Sequence, residues 1–374
     1  MGQLLLVLLL ISFISTLLLA TWVRGRAQQH ANAYPADAVQ RFHFGDVPRL
    51  GGLAMLMGFS VSLLYAVVAQ HLGYGPNVEL SDWDAVAYIG CLAGPVLIGV
   101  WEDITHRVSV VLRLFITASG ALLAVWLLDA HIGRLGISWL DDWWGAYPFL
   151  GVALTIFAIA GLPHAFNIID GYNGLAGLVT IVISGALVYM ALKFGDRQLA
   201  TFALCTLAST AGFLIWNYPR GLLFAGDGGA YFWGLNIAII SILLVERHAQ
   251  VSPWFVILLL VYPVWETVFS IARKTLQGVP PSMADSLHLH HMIYRRIVRT
   301  VFHEDEAQQL LSKNNRTAPY LVGLTILTVL PALIFWQNTP ILMGFCLLFV
   351  TSYVTTYLWL TNHKLVKWLR KRLR

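Results

Sequence analysis

Charged side chains are scarce in this sequence. Asp, Glu, Lys and Arg make up 11% of its 374 residues, whereas soluble globular proteins contain roughly 25%. Hydrophobic residues reach 58%, and the mean hydropathy is +0.69. This composition excludes a soluble globular chain and predicts a protein that crosses a membrane several times.

Cysteine is also scarce, and no internal repeat or low-complexity linker divides the chain. The three cysteines lie inside apolar segments without the spacing of a metal site or a disulfide framework, so we expect small buried residues. The first apolar segment lacks the basic start and the cleavage site of a signal peptide, which predicts a retained transmembrane helix. We therefore expect a single transmembrane domain over residues 1–374.

Eleven apolar stretches are long enough to cross a bilayer. All are expected to be α-helices, because a spanning segment must satisfy its own backbone hydrogen bonds and none shows the alternation of barrel strands. The sequence predicts an all-α, polytopic membrane protein with about 11 transmembrane helices. The predicted spans are 2–23, 51–72, 84–101, 110–130, 147–165, 175–194, 199–216, 228–246, 253–272, 319–336 and 340–360.

Lys and Arg are distributed unevenly between the two sides of these spans. With the N-terminus outside, the inner segments carry 19 of these cations and the outer segments four. Because cytoplasmic loops are enriched in Lys and Arg, this predicts an outside N-terminus and a cytoplasmic C-terminus. The net charge of +5 then follows from topology, and no nucleic-acid partner is expected. The basic tail, 362–374, is expected to lie on the anionic inner leaflet, with a solvated helix end as the alternative.

A polar stretch separates two apolar segments near the middle of the chain. It contains Asn167, Asp170 and Asn173 among three glycines. Carboxylate and amide oxygens are ligands for hard cations such as Mg²⁺, and glycines let a ligand approach the backbone closely. An ordinary turn is the alternative, because Asp-Gly and Asn-Gly are common turn dipeptides.

Two loops that precede this stretch, on the same predicted face, also carry polar residues. Arg49 stands before two glycines and has the planar fork that suits a phosphate, although a positive-inside anchor explains it as well. Glu102 and Asp103 are adjacent carboxylates that a nearby cation would stabilise, with solvated helix-end charges as the alternative. Arg113 is expected near this pair or near a lipid phosphate.

Two later loops complete the set. Asp227 is flanked by glycines at the start of a span, where a carboxylate and helix N-terminal N–H groups could bind a metal-bound diphosphate; a helix N-cap is the alternative. His288, His290 and His291 lie in the predicted cytoplasmic loop 273–318. The lack of nearby cysteines favours contact of these histidines with anionic oxygens over zinc.

All five polar loops are predicted to reach the same membrane face. A site for a soluble phosphorylated substrate and a lipid acceptor requires such an arrangement. A secondary transporter, the alternative class, would have polar residues at mid-span and pseudo-repeats.

In order and spacing, these motifs resemble those of the polyprenyl-phosphate N-acetylhexosamine-1-phosphate transferases (glycosyltransferase family 4), which include phospho-N-acetylmuramoyl-pentapeptide transferase. The resemblance runs from Pro48-Arg49 to His291 and includes Asn217, ten residues before Asp227. The first motif and the His-X-His-His form are more similar to the N-acetylglucosamine-1-phosphate transferase branch. The D-G-X-X-A-R motif of CDP-alcohol phosphotransferases is absent from the sequence.

The resemblance implies transfer of an N-acetylhexosamine 1-phosphate from a UDP-sugar to undecaprenyl phosphate, with release of UMP. N-acetylglucosamine is the expected sugar, and a 6-deoxy sugar such as FucNAc or QuiNAc is the alternative. The implied cofactor is Mg²⁺, with Mn²⁺ as a substitute. The implied location is the cytoplasmic face of the bacterial inner membrane, where the product would start a cell-surface polysaccharide. A homodimer is one oligomeric state that the sequence leaves open.

The resemblance also implies roles for individual residues. Asp227 and Asn167 would be metal ligands, and Phe224 would stack on uracil. The implied catalytic residues are Glu102, Asp103, Asp170 and Asp227, and the implied substrate-binding residues are Arg49, Asn167, Asn173, Asn217, Phe224, His288, His290 and His291.

Two positions depart from the family pattern, because Glu102 and Asn173 stand where the family usually has Asp. A non-catalytic scaffold therefore stays an alternative. If the chain is an enzyme, direct in-line attack is expected, because a lipid phosphate with a second pKa of about 6 is roughly nine tenths dianionic at pH 7. A carboxylate of the Glu102–Asp103 pair as base or covalent nucleophile is the competing scheme.

Overall fold

A computed structural model describes residues 2–31, 47–73, 78–280, 287–294 and 306–361. Every regular element in these ranges is a helix. In chain order the helices are α1 (Gly2–Ala31), α2 (Gly51–His71), α3 (Asp82–Thr105), α4 (Val110–Leu128), α5 (Ser138–Ala146), α6 (Pro148–Ile169), α7 (Leu175–Lys193), α8 (Arg197–Asn217), α9 (Gly226–Arg247), α10 (Pro253–Leu259), α11 (Val261–Leu276), α12 (Leu289–Ile293), α13 (Glu306–Ile334) and α14 (Thr339–Thr361).

Ten helices among the described residues are long and apolar enough to cross a membrane, and a bent helix pair gives an eleventh span. The predicted polytopic, all-helical fold with about 11 spans is therefore confirmed. The orientation of the termini and the single-domain assignment stay predictions. The tail 362–374 lies outside the described residues.

The predicted span 253–272 is not a continuous helix. It consists of α10 and α11, which meet at an angle of 70°. Pro263, the third residue of α11, lacks a backbone N–H, and a proline ring clashes with the carbonyl four residues earlier, which here belongs to the last residue of α10. The break therefore falls where the proline would disrupt a continuous helix.

Several helices extend beyond the predicted spans. The third runs to Thr105 and so contains Glu102 and Asp103 in its last turn, rather than releasing them into a loop. The predicted loop 273–318 is partly helical, because α11 continues to Leu276, α12 lies inside the loop and α13 begins at Glu306. The hydrophobic-window prediction missed these extensions because they are polar.

Helix α9 occupies the centre of the bundle. Its residues from Gly228 to Leu244 are buried, and it packs against α2, α3, α6, α7 and α8. Glycines allow the closest approaches: a Cβ on Gly52 of α2 would lie 2.8 Å from the carbonyl oxygen of Gly228. A Cβ on Gly99 of α3 would lie 2.6 Å from the Gly228 nitrogen. Small residues thus bring α2 and α3 against the first turn of α9.

Candidate active site

A carboxylate from α3 fixes the first turn of α9. Asp103 accepts hydrogen bonds from the backbone N–H groups of Asp227 (3.0 Å) and Gly228 (3.1 Å). Gly226 has φ +70°, and a Cβ there would collide with the Asp103 carboxylate. Asp103 therefore already accepts from two of the N–H groups that were expected to face a diphosphate, and binding of a diphosphate at this helix start stays a prediction.

The Asp227 carboxylate lies between a cation and an amide. Arg113 of α4 donates from Nη1 to Oδ2 at 2.6 Å, and Asn167 of α6 donates from Nδ2 to Oδ1 at 2.9 Å. Glu102 Oε1 lies 4.0 Å from the same Arg113 nitrogen, and its Oε2 accepts from the Val108 N–H at 2.7 Å. Side chains from α4 and α6 thus contact the Asp227 carboxylate at the start of α9, and Glu102 of α3 lies beside Arg113.

The loop before α2, which carries Arg49, and the loop before α9 are joined through their backbones. Three hydrogen bonds of 2.9–3.0 Å connect residues 48–52 with residues 224 and 225. Phe224 is half-buried at this junction. The backbone of Arg49 lies against Gly226 at the start of α9. The guanidinium of Arg49 acts electrostatically on the carboxyl groups of Asp103 and Asp170. The loop pairing therefore brings Arg49 to the acidic residues.

Asp170 follows the last residue of α6 and is half-buried. Burial raises its pKa from 3.8 to about 7; the charge of Arg49 opposes this rise, and that of Asp227 adds to it. Near neutral pH, Asp170 therefore exchanges between its charged and neutral forms. These interactions place Asp170 in the same site as Asp227 and Arg49.

Asn217 is buried, and both ends of its amide bind backbone groups. Its Oδ1 accepts from the Gly174 N–H at 2.7 Å, and its Nδ2 donates to the Leu223 carbonyl at 2.8 Å. Asn217 therefore connects the loop between α6 and α7 with the loop between α8 and α9. A direct contact of Asn217 with substrate stays a prediction, and the described contacts give it a role in shaping the loops.

Asn173, at one of the positions that depart from the family pattern, is also buried. Its Nδ2 donates to Asn315 Oδ1 of α13 at 3.1 Å and to the Pro219 carbonyl at 3.4 Å. An amide is suited to this position because both partners are acceptors. The substrate contact predicted for Asn173 likewise stays a prediction.

The histidine motif, His288 to His291, lies against the loop between α6 and α7. His290 is 1% exposed, and a Cβ on Gly171 would lie 3.0 Å from its Nε2. Tyr172 packs edge-to-face on His290, and its hydroxyl lies 3.1 Å from His291 Nδ1. Burial lowers the pKa of His290 well below its usual value, and His291 and His288 lower it further, so His290 is neutral at pH 7.

A buried carboxylate on α11 supports this motif. Glu266 is 1% exposed; its Oε1 lies 3.1 Å from His288 Nδ1 and accepts from the Leu289 N–H at 3.0 Å. Its Oε2 accepts from the Tyr353 hydroxyl of α14 at 2.8 Å. One carboxylate therefore links α11, α12 and α14.

The sequence is similar to those of known proteins. The sequence pattern of glycosyl transferase family 4 matches residues 85–245. A Bacillus subtilis (strain 168) protein, named a probable undecaprenyl-phosphate N-acetylglucosaminyl 1-phosphate transferase, is 27% identical over 286 residues, which cover 74% of each chain. Residues 85–245 of the chain are therefore similar to glycosyl transferase family 4. Two undecaprenyl-phosphate alpha-N-acetylglucosaminyl 1-phosphate transferases are also similar: that of Escherichia coli K12 (28% identity, 68% of this chain, 66% of the relative) and that of Yersinia pestis (25%, 68% and 67%).

The structure adds contacts to this site that the sequence motifs did not predict. Arg113 lies 4.0 Å from Glu102, in the first of its two expected positions, and its contact with Asp227 was not predicted. His164 of α6 lies 3.4 Å from the Thr117 hydroxyl and packs edge-to-face against Tyr231, one turn after Asp227. The spacing of His164 three residues before Asn167 was the available signal, because that spacing puts both side chains on one helix face.

Proposed function

We propose that the protein transfers N-acetylglucosamine 1-phosphate from UDP-N-acetylglucosamine to undecaprenyl phosphate, giving undecaprenyl-diphosphate N-acetylglucosamine and UMP. The observation that carries this proposal is the convergence on Asp227 of Arg113, Asn167 and the last turn of α3. The names of the family 4 relatives support the choice of acceptor and sugar.

The position of the site in the bundle suits both substrates. The carboxylates, Arg49 and the histidine motif all lie at one end of the helix bundle. A lipid phosphate held at the bilayer surface and a soluble nucleotide sugar can meet only at such an end. We place this end at the cytoplasmic face of the bacterial inner membrane, following the distribution of Lys and Arg.

Mg²⁺ is the cofactor that the donor set fits best. Asp227 and Asn167 offer the oxygen ligands that Mg²⁺ prefers, and the Asn167 amide can turn its oxygen towards a cation. No group of three His, Cys, Asp or Glu side chains is placed to hold a metal within the described ranges. Substrate phosphates and water would then complete the coordination, which is usual for Mg²⁺. When bound, the ion would supply charge neutralisation at the diphosphate.

The reaction proposed here is a direct displacement. An oxygen of the acceptor phosphate attacks the β-phosphorus of the donor, the bond from that phosphorus to the bridging oxygen breaks, and UMP leaves with the electron pair. Arg49 and Arg113 reduce the repulsion between the two anions, because a guanidinium binds phosphate oxygens in a bidentate manner. The histidine motif orients the donor.

The contacts of the acidic pair favour direct attack over a covalent intermediate. Asp103 accepts two backbone hydrogen bonds, and Glu102 accepts one from Val108. A carboxylate that accepts hydrogen bonds is a weaker nucleophile, because those bonds stabilise its negative charge. Both side chains therefore support the position of Asp227 and Arg113.

The decisive experiment is a UMP-release assay with purified protein in detergent. We expect release that requires undecaprenyl phosphate and Mg²⁺, with Mn²⁺ as a weaker substitute. UDP-sugars that carry 6-deoxy N-acetylhexosamines are tested as alternative donors. Faster turnover of one of them would identify it as the donor in place of UDP-N-acetylglucosamine. Labelled protein after incubation with β-phosphorus-labelled donor alone would refute direct attack, and absence of UMP release with every donor would refute the function.

A further inference from the structure

Glu266 has no role in the chemistry described above, yet its placement is costly. A carboxylate buried away from water is strongly destabilising unless its oxygens are satisfied. Glu266 meets this requirement through the N–H of Leu289, the hydroxyl of Tyr353 and the ring of His288. Two of these partners belong to the histidine motif, and the third, Tyr353, belongs to α14.

The contact with His288 has a chemical consequence. An ionised carboxylate is only an acceptor, so the Nδ1 atom that faces it must carry a proton. A carboxylate on one imidazole nitrogen fixes both the tautomer and the orientation of the ring, and Nε2 becomes the nitrogen that can meet a ligand. His288 also stacks on His290, with centroids 5.3 Å apart and an interplanar angle of 15°. Its ring is therefore held from two sides.

We propose that Glu266 is a positioning residue, which orients His288 so that Nε2 contacts the diphosphate of the donor. This inference rests on the proposed function. Glu266 touches neither substrate and acts only through His288. The α10–α11 break supports this role, because it lets α11 run in a different direction from α10 and places Glu266 beneath α12.

The same carboxylate provides a matched control. Tyr353 binds Oε2, whereas His288 and Leu289 bind Oε1. Tyr353→Phe removes a hydrogen bond to Glu266 but leaves the His288 contact. It therefore measures how much Glu266 contributes to stability apart from its contact with His288. Glu266→Gln keeps the shape and one acceptor oxygen but loses the charge that holds the Nδ1 proton.

The test is a double-mutant cycle in the UMP-release assay. We expect Glu266→Gln to lower kcat/KM for the UDP-sugar by about 10- to 100-fold, as is typical when the carboxylate partner of a functional histidine is changed. The KM for undecaprenyl phosphate should stay within about twofold, because the acceptor does not contact His288. The double variant Glu266→Gln with His288→Gln should be no slower than His288→Gln alone, since residues that act as one unit are not additive.

Tyr353→Phe should lower the melting temperature in detergent while keeping kcat/KM within about threefold. Three results would overturn the inference: multiplied effects of Glu266→Gln and His288→Gln, full activity of His288→Gln, or a loss in Glu266→Gln that matches its loss of folded protein. Because wild-type UMP release is measured in the same series, failure of the proposed function is seen separately from failure of this inference.

Discussion

Asp227 has two functions that belong to different atoms of the same residue. Its backbone N–H is held by Asp103, and its carboxylate is held by Arg113 and Asn167. A change of the side chain therefore leaves the start of α9 capped. We expect Asp227→Ala to lower UMP release by at least about 1000-fold, the upper range for loss of one electrostatic group, with little change in melting temperature.

Asp82→Ala is the control for this variant, because it removes an exposed carboxyl from the other end of α3. Its activity should equal that of the wild type. Near-normal activity of Asp227→Ala would mean that the metal site has been assigned to the wrong residue.

Asn173 shows why the departure from Asp can be tolerated. Its amide donates to two acceptors, Asn315 Oδ1 and the Pro219 carbonyl. Asn173→Asp would point carboxylate oxygens at both, and only the Asn315 amide can turn to donate. We expect the variant to lose about 1 kcal/mol or more of stability, the cost of an unsatisfied buried acceptor. Thermal unfolding in detergent measures this, and an unchanged melting temperature would show that the amide is not needed.

Asp170 should make stability depend on pH. Its pKa is 3.8 for an ordinary Asp but about 7 in the fold. Between these values the folded state binds more protons than the unfolded state, so the free energy of unfolding falls as pH rises from about 4 to 7. We expect Asp170→Asn to flatten this slope in melting curves recorded without divalent ions. Parallel slopes for the two proteins would contradict the raised pKa.

At the scale of helices, the contact between α2 and α9 sets the position of the acidic residues. A Cβ on Gly52 would press on the backbone of Gly228, directly after Asp227. We expect Gly52→Ala to cost about 1–3 kcal/mol, as overpacking usually does, and to lower activity as Asp227 shifts. Gly90→Ala in α3 is the matched control, because a Cβ there meets nothing within 4 Å; its stability, measured in the same melts, should equal or exceed that of the wild type.

Apolar length predicted the helices well, and residue chemistry predicted which acidic and amide residues would lie close together. Spans could be located because hydrophobic windows depend on local composition alone. The contact of Glu266 with His288 and that of Arg113 with Asp227 could not be predicted, because each joins residues far apart in sequence. A single acidic or basic residue inside a span has no local partner to identify it. The break before α11 had a local signal in Pro263, but other spans contain proline without such a break.

At the scale of the whole molecule, the two ends of the bundle should face different compartments. Arg220 is exposed at the end that carries the site, and Asp142 is exposed at the other end. The three natural cysteines are buried, so a single introduced cysteine can be labelled selectively. In intact spheroplasts, a membrane-impermeant maleimide should label Asp142→Cys but not Arg220→Cys. Labelling of Arg220→Cys would place the site outside the cell.

The acidic half of the site, around Asp227, is better shielded from lipid than the histidine half, because α9 lies at the centre of the bundle. Asp227 belongs to a helix enclosed by other helices, whereas His288 is anchored through α11, whose apolar Val268 and Ile271 are exposed on the outside of the bundle. A short-chain detergent or a thinner membrane should therefore disturb the positions of the histidines before it disturbs those of the carboxylates. Preparations that melt normally can still lose affinity for the nucleotide sugar, and native lipids should restore it.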